Sequence, residues 1–297
     1  MMQKEKKSVA LFSVFAAVFL TGFKSVVGIL TGSLGILSEA LHSLLDLFAA
    51  IITYFSVRVS DKPADQQHNY GHGKVENFSA LIETFLLLIT CIWIVYEAVN
   101  RLTTGSTHIE VNVWSYLVVI SSIVIDYSRS RALHRVAKKY NSQALEADAL
   151  HFKTDIWSSV VVFLGLICVN FGYHFADSIA ALGVACVVLV VCWQLGKKAV
   201  DVLLDTAPCE TIKLVKATLA EFPEVKHFHS LKVRTAGADT FVKVNVHLDP
   251  ELNLRQVHAI CDKIEVEIGN RIDRSEVNIH AEPQDLFHIQ TEKTDGL

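Results

Sequence analysis

His42 and Asp46 stand four residues apart inside a long apolar stretch. His151 and Asp155 repeat the pair about a hundred residues later, again inside an apolar stretch. Residues four apart on a helix project from one face. Two such helices facing each other offer two imidazole nitrogens and two carboxylates, the donor set of a tetrahedral metal site. Charged groups deep in a bilayer are costly and mark ion paths. The alternative is that both pairs act only as polar glue between helices. Two carboxylates close together in a low dielectric cannot both stay ionised while the site is empty, so the cluster would hold protons. A divalent cation neutralises both carboxylates and expels those protons. A site that holds either metal or protons, opening to each side in turn, is a proton-coupled antiporter. Glu39 lies one turn before His42 on the same face. It is either a proton or ion entry group or a polar residue lining the outer vestibule.

Two further clusters have ligand chemistry. Asp65, His68 and His72 fall in one polar loop and pattern as a surface site with one carboxylate and two imidazoles, against the alternative of a solvated loop. His229, His247, His258, His280 and Glu282 belong to the charged C-terminal part, where they either converge on a metal or are scattered surface groups. His280 and Glu282 share the polar face of an alternating strand, and His247 shares a face with Lys243 and Asn245. His229 is the awkward member, because its parity matches Leu231 and Val233, which pattern as core-facing. His227 lies close enough in sequence to touch this third group.

The elements that must position these residues follow from the apolar pattern. Ser8–Leu30, Leu34–Val57, Asn77–Asn100, a span from Val113 to about Arg129, Ala144–Asn170 and Ile179–Leu195 are each about long enough to cross a bilayer core of roughly 30 Å. Basic residues gather at the N-terminus, after the second span and after the fourth, which places both termini in the cytoplasm. In that topology His42 and Asp46 lie 8 to 12 residues below the outer end of the second span. His151 and Asp155 lie 7 to 11 residues above the inner end of the fifth. At 1.5 Å per residue both pairs reach the middle of the membrane. From about Cys209 the composition becomes that of a small soluble domain. Its expected elements are a helix at 210–222, strands at 225–234 and 240–248, a helix at 254–269 and a strand at 277–282. The expected architecture is a membrane all-α six-helix bundle over residues 1–207, a cytoplasmic α+β domain in the order αββαβ over 208–290, and a tail at 291–297.

Composition agrees with this reading. The 297 residues are 51% hydrophobic and 20% charged, with a mean hydropathy of +0.36. A net charge of −4 gives no reason to expect nucleic acid as a partner. Six cysteines, four of them in apolar runs and none in a CxxC, read as buried or reduced thiols. The basic start and the long apolar run after it fit a retained first span better than a cleaved signal peptide. A membrane metalloenzyme such as an intramembrane protease needs a general base beside the metal, as in HExxH, and no such motif occurs. A membrane-anchored metal sensor accounts for the third cluster but leaves the mid-membrane ligands unexplained.

Five stretches resemble the cation diffusion facilitator family: SLGILSEALHSLLDL, KPADQQHNYGHGKVE, ADALHFKTDIWSS, the Ala176-Asp177 start of the last span, and VNIHAEP. The resemblance covers nearly the whole chain and is closest to a bacterial zinc exporter. It implies a multi-pass protein of the bacterial inner (plasma) membrane, in contact with lipid and built as a homodimer. It also implies a metallochaperone-like cytoplasmic domain and exchange of zinc for protons by alternating access. The transport site then carries over to His42, Asp46, His151 and Asp155, and the loop site to Asp65, His68 and His72. The binuclear cytoplasmic site carries over to His229, His247, His258, His280 and Glu282. An inter-subunit charge interlock carries over to Lys74 and Asp205. The bacterial relative has Asp at the position of His42, Asp at that of Glu282 and Gln at that of Ala281. One outer ligand of the cytoplasmic site is therefore in doubt. More imidazole favours zinc over harder ions such as manganese, while cobalt, nickel, cadmium and ferrous iron remain alternative cargo.

Overall fold

The computed structural model describes residues 2–31, 34–104, 113–170 and 176–284. Gly32-Ser33, residues 105–112 and 171–175, and the expected tail lie outside the described residues. The chain divides into two compact units, Met1–Val200 and Asp201–Leu297.

The first unit is built from six long helices: α1 (Met2–Thr31), α2 (Leu34–Ser60), α3 (Lys74–Thr104), α4 (Val113–Tyr140), α5 (Gln143–Asn170) and α6 (Ala176–Leu203). Each has 27 to 31 residues, or about 40 to 47 Å at 1.5 Å per residue. That exceeds the apolar thickness of a bilayer, so the helices run on past the expected spans. Four of them, α1, α2, α3 and α6, are both long and apolar enough to cross a membrane. Helices α4 and α5 are as long, each with one apolar half and one half richer in polar residues. Their Asp126, Arg129, Asp148 and His151 are buried inside the bundle, so lipid need not solvate them.

Helix α1 packs on α2 and α4 on α5. Contacts of α2 with α5, α1 with α4 and α3 with α5 join the two pairs. Helix α6 packs on α3 through Leu87, Cys91, Ala185, Val188 and Cys192. Gly28 lets α1 and α2 close tightly, since a Cβ there would sit 3.2 Å from the backbone nitrogen of Leu37.

Where α1, α2, α3 and the α4–α5 turn meet, one buried ammonium collects the acids. Lys6 Nζ donates to Glu76 Oε1 at 2.6 Å and to Asp61 Oδ1 at 3.1 Å. Ser60 donates to Glu76 at 2.8 Å and Ser142 also donates to it.

The second unit contains α7 (Cys209–Ala220), β1 (His227–Ala236), β2 (Asp239–Leu248), α8 (Leu254–Arg271) and β3 (Ser275–Pro283). The strands form one sheet in the order β1-β2-β3, with β1/β2 antiparallel and β2/β3 parallel. Val242, Val244, Val246 and Leu248 line one face of β2 and pack with Val215 and Leu219 of α7 and Ile260, Ile264 and Ile268 of α8. The helices therefore cover that face, and Asn245 and His247 point to the other. A capping box formed by Asn253 and Gln256 starts α8. Leu254, expected on the apolar face, is 84% exposed, because its place in the first turn leaves it outside the core.

Changing Lys6 to Met would leave Glu76 and Asp61 buried without their cation, and breaking such a pair costs about 3–5 kcal/mol. The detergent-purified Lys6→Met protein should unfold at a clearly lower temperature than its parent. An unchanged midpoint would mean that Ser60 and Ser142 alone suffice to hold the carboxylates.

Candidate metal centre

Helices α2 and α5 bring the two HxxxD pairs together. His151 Nε2 lies 3.1 Å from Asp46 Oδ1 and 3.5 Å from Asp155 Oδ2. His42 Nε2 lies 3.6 Å from Asp155 Oδ1 and 3.9 Å from Asp46 Oδ1. Imidazole and carboxylate thus alternate around a square, each Nε2 facing one carboxylate from its own helix and one from the other. With metal–ligand distances of 2.0–2.2 Å, donors around a tetrahedral ion stand about 3.3 to 3.5 Å apart. Those four distances are close to that spacing, but only His42, Asp46 and Asp155 offer ligand atoms that all lie within 4.8 Å of one another, so His151 must move inward to join a common ion. His151, Asp46 and Asp155 are largely buried, whereas the His42 side chain is 32% exposed.

His42 opens onto a cavity lined by Lys24, Glu39, Asp46, Val119, Ser122, Asp126, Asp155, Ser158 and Ser159. The cavity therefore reaches the site from the Glu39 side of α2. Lys24 Nζ donates to Ser43 Oγ at 2.8 Å and to Glu39 Oε2 at 3.2 Å, tying α1 to α2 at its edge. From Asp126, at the edge of the cavity, the polar groups close up. Arg129 donates to Asp126 at 3.1 Å and to Ser13 Oγ at 3.1 Å, and Ser13 donates to Asp148 Oδ2 at 3.2 Å. The Arg129 guanidinium lies 3.5 Å above the Phe152 ring centre. Glu83 accepts from Thr53 and from Ser79. Among the described residues, Glu83 Oε2, Asp148 Oδ1 and His151 Nδ1 are buried with no hydrogen-bond partner.

The loop residues also converge. Asp65 Oδ1 accepts the backbone N–H of His68 at 2.7 Å and of Gln67 at 2.9 Å, a turn closed by its own side chain. The His68 amide is the main reason that the Asp65 carboxyl lies below its usual range. Asp65 also faces His68 Nδ1 at 3.3 Å and His72 Nε2 at 3.4 Å. The two rings lie 4.4 Å apart.

In the second unit a local irregularity settles the parity of His229. The β1/β2 register shifts by one residue between His229 and Lys232, where Ser230 adopts φ +53. This bulge turns His229 onto the open face, opposite Asn245. His229, His247 and Glu282 then offer ligand atoms that all lie within 4.8 Å of one another. Glu282 Oε2 faces His229 at 3.2 Å and His247 at 3.6 Å, and its Oε1 accepts from Asn245 at 2.7 Å. His229 is the main reason that the Glu282 carboxyl lies below its usual range. His280 approaches the same carboxylate less closely, at 3.7 Å from Oε1, and is mostly exposed. His258 is not brought to this group. It sits on α8, which covers the other face of the sheet, and its exposed ring faces Asp262 at 3.4 Å.

Lys74 opens α3 in the first unit. Asp205 follows α6 in the second, with φ +57, and faces Arg234 at 3.8 Å. The pattern of the sequence assigned no role to Asp148 and used Arg129 only for orientation. Their signal was spacing, since Asp148 stands three residues before His151 and Arg129 three after Asp126.

Comparison with known proteins agrees with both units. Residues 10–204 match the family model described as the cation efflux transmembrane domain, and residues 207–284 match that of the cation efflux protein cytoplasmic domain. The cation-efflux pump FieF of Shewanella oneidensis is 30% identical over 283 residues, which cover 95% of this chain and 94% of that protein. An uncharacterized transporter of Synechocystis is 32% identical over 278 residues, covering 92% and 89%. The metal-bound C-terminal domain of the CzcD transporter from Thermotoga maritima is 29% identical, with a TM-score of 0.24. It covers 25% of this chain and 87% of that one.

Changing Asp65 to Asn removes the charge that both loop imidazoles face while keeping the side chain's shape. Losing a ligand should weaken metal affinity by at least the 10- to 100-fold cost of losing a supporting group. Zinc titration against a competing chelator should show one class of sites weakened that far and the others unchanged.

Proposed function

Because the chain belongs to the cation efflux (cation diffusion facilitator) family, whose members are transporters rather than enzymes, we propose that it exports a divalent metal ion across the membrane in exchange for protons. Zinc is the favoured cargo. The observation that carries this reading is the meeting of His42, Asp46, His151 and Asp155, two imidazoles and two carboxylates on two facing helices. Two carboxylates balance one divalent ion, and two imidazoles favour zinc over manganese. A metal entering this square displaces contacts that the ligands otherwise make with one another. The ligands must be deprotonated to bind it, so loading releases protons and reprotonation releases the metal. Glu39 and Lys24 stand where ions would enter or leave the cavity above.

In this reading six helices cross a bacterial inner membrane, with both termini in the cytoplasm and Asp65, His68 and His72 on that side. His229, His247 and Glu282 fit a second, regulatory metal: His229 and His247 present Nε2 to one Glu282 oxygen, while Asn245 orients the other. His280 stands beyond that other oxygen, where a second ion would bridge. His258 would reach the group only from elsewhere, a partner subunit included. Two copies form the transporter, with Lys74 and Asp205 placed at the hinge between them.

The test is metal flux into proteoliposomes with a pH-sensitive dye inside, run across zinc, cadmium, cobalt, nickel, ferrous iron and manganese. Zinc uptake should move the internal pH in the direction of proton counter-flow. Asp155→Ala should cut flux to below about a hundredth, on the scale set by ligand-supporting groups. Flux without a pH change would remove proton exchange, and full flux in Asp155→Ala would remove the assigned site.

A further inference from the structure

The cytoplasmic cluster as described has three ligands, and three-ligand zinc sites keep a position open to water, whereas structural zinc sites close with a fourth protein ligand. The strand register supplies a candidate. His227, His247 and Glu282 are direct neighbours across β1, β2 and β3, and His229, Asn245 and His280 form the next row. His227 thus stands beside the three ligands on the open face of the sheet. Its backbone is anchored there, because the Lys226 amide donates to the His247 carbonyl at 3.0 Å.

Ring spacing tests whether His227 can share the ion. Two imidazoles on one tetrahedral ion have ring centres about 5 Å apart, given nitrogen–metal distances of about 2.0–2.1 Å. His229 and His247 stand 5.1 Å apart, at that spacing. The His227 ring lies 5.7 Å from that of His247 and 6.5 Å from that of His229. The excess is about 0.7 Å to His247 and about 1.5 Å to His229, within reach of a side-chain rotation at an exposed position. Glu282 leaves the way open, since Asn245 holds Oε1 and directs Oε2 toward the histidines.

We propose that His227 is the fourth protein ligand of this metal, closing a shell of three imidazoles and one carboxylate. The inference rests on the reading that His229, His247 and Glu282 hold a metal. A closed shell excludes water, so the ion is held for long periods and does not exchange with the transported pool. This ion would then brace the sheet, and the exchange that regulation needs would fall to the second ion beside His280.

The experiment uses the full chain in detergent, carrying Asp155→Asn and Asp65→Asn to disable the other two clusters, with Co²⁺ as probe. His227→Ala should weaken Co²⁺ binding at least tenfold and lower the intensity of its visible absorption, as four-coordination gives way to a higher number. His227→Cys should keep tight binding and add a near-ultraviolet thiolate-to-cobalt band, which arises only if residue 227 touches the metal. His247→Ala should abolish the site. If His227→Ala matches the parent in affinity and spectrum while His247→Ala abolishes binding, the fourth-ligand assignment is overturned and the three-ligand site stands. If His247→Ala leaves binding unchanged, the underlying metal site is itself wrong and this proposal goes with it. Unfolding temperatures measured without metal separate a folding defect from ligand loss.

Discussion

An ionisable side chain inside an apolar helix bundle must find a counter-charge or hydrogen bonds there, because removing it from water costs several kcal/mol. The first unit is arranged around that constraint. Lys24 is held by Glu39 and Ser43 at the edge of the cavity. Below it His42 and His151 face Asp46 and Asp155, with His151 Nδ1 and Asp155 Oδ2 left without a hydrogen-bond partner among the described residues. Next come Asp126, Arg129, Ser13 and Asp148 in one chain of contacts, and at the far end Lys6, Glu76 and Asp61. Each layer joins different helices, so the polar groups fix which helix stands beside which. Dispersion between apolar side chains alone would not choose among the many pairings of similar helices.

The histidine–carboxylate contacts within this cluster bear on the proposed carriage as well as on folding. An ion that entered an unfilled ring of bare charges would gain the whole desolvation cost of those charges and would leave slowly. Here it gains only the difference between metal contacts and the histidine–carboxylate contacts it replaces. A carrier needs that moderation, since a site that releases its cargo on the far side cannot hold it at the affinity of a structural zinc. The cavity meets the square at His42, its most exposed member, while His151 is nearly fully buried. The two imidazoles are therefore unequal, one at the entrance and one at the floor.

Much of this was legible in the sequence because it depends on period. The four-residue repeat of His and Asp, the apolar runs and the alternation in the last three strands all survive as local patterns. Counting along the helices also placed the two pairs at one level, and in the structure they meet. What escaped depends on features without a period. A single added residue at Ser230 moves His229 from the core face to the open face, and nothing in SLKV signals a bulge. His258 has a ligand's chemistry, but it lies on a helix that covers the wrong side of the sheet, and only the packing of Ile260, Ile264 and Ile268 reveals that side. The polar residues of α4 and α5 also find partners that the sequence does not name, Arg129 with Ser13 and Asp148 with Ser13.

The three clusters differ in what holds their ligands, and in the proposed function that difference suits them to different work. Asp65, His68 and His72 sit on an exposed loop closed by the Asp65 side chain, so their geometry yields easily and an ion there would exchange fast. The mid-bundle ligands are fixed in pairs on two helices, and a relative shift of α2 and α5 would change every cross-helix edge of the square at once. Helix packing has discrete arrangements rather than continuous ones, so such a shift can switch the site between gripping and releasing. The sheet ligands have no comparable freedom. His229, His247 and Glu282 lie on three hydrogen-bonded strands whose register cannot slide without turning their apolar faces to water. A site on such a scaffold does not give up its ion by a small motion. The sheet is thus suited to sensing or bracing, and the helix pair to moving the cargo.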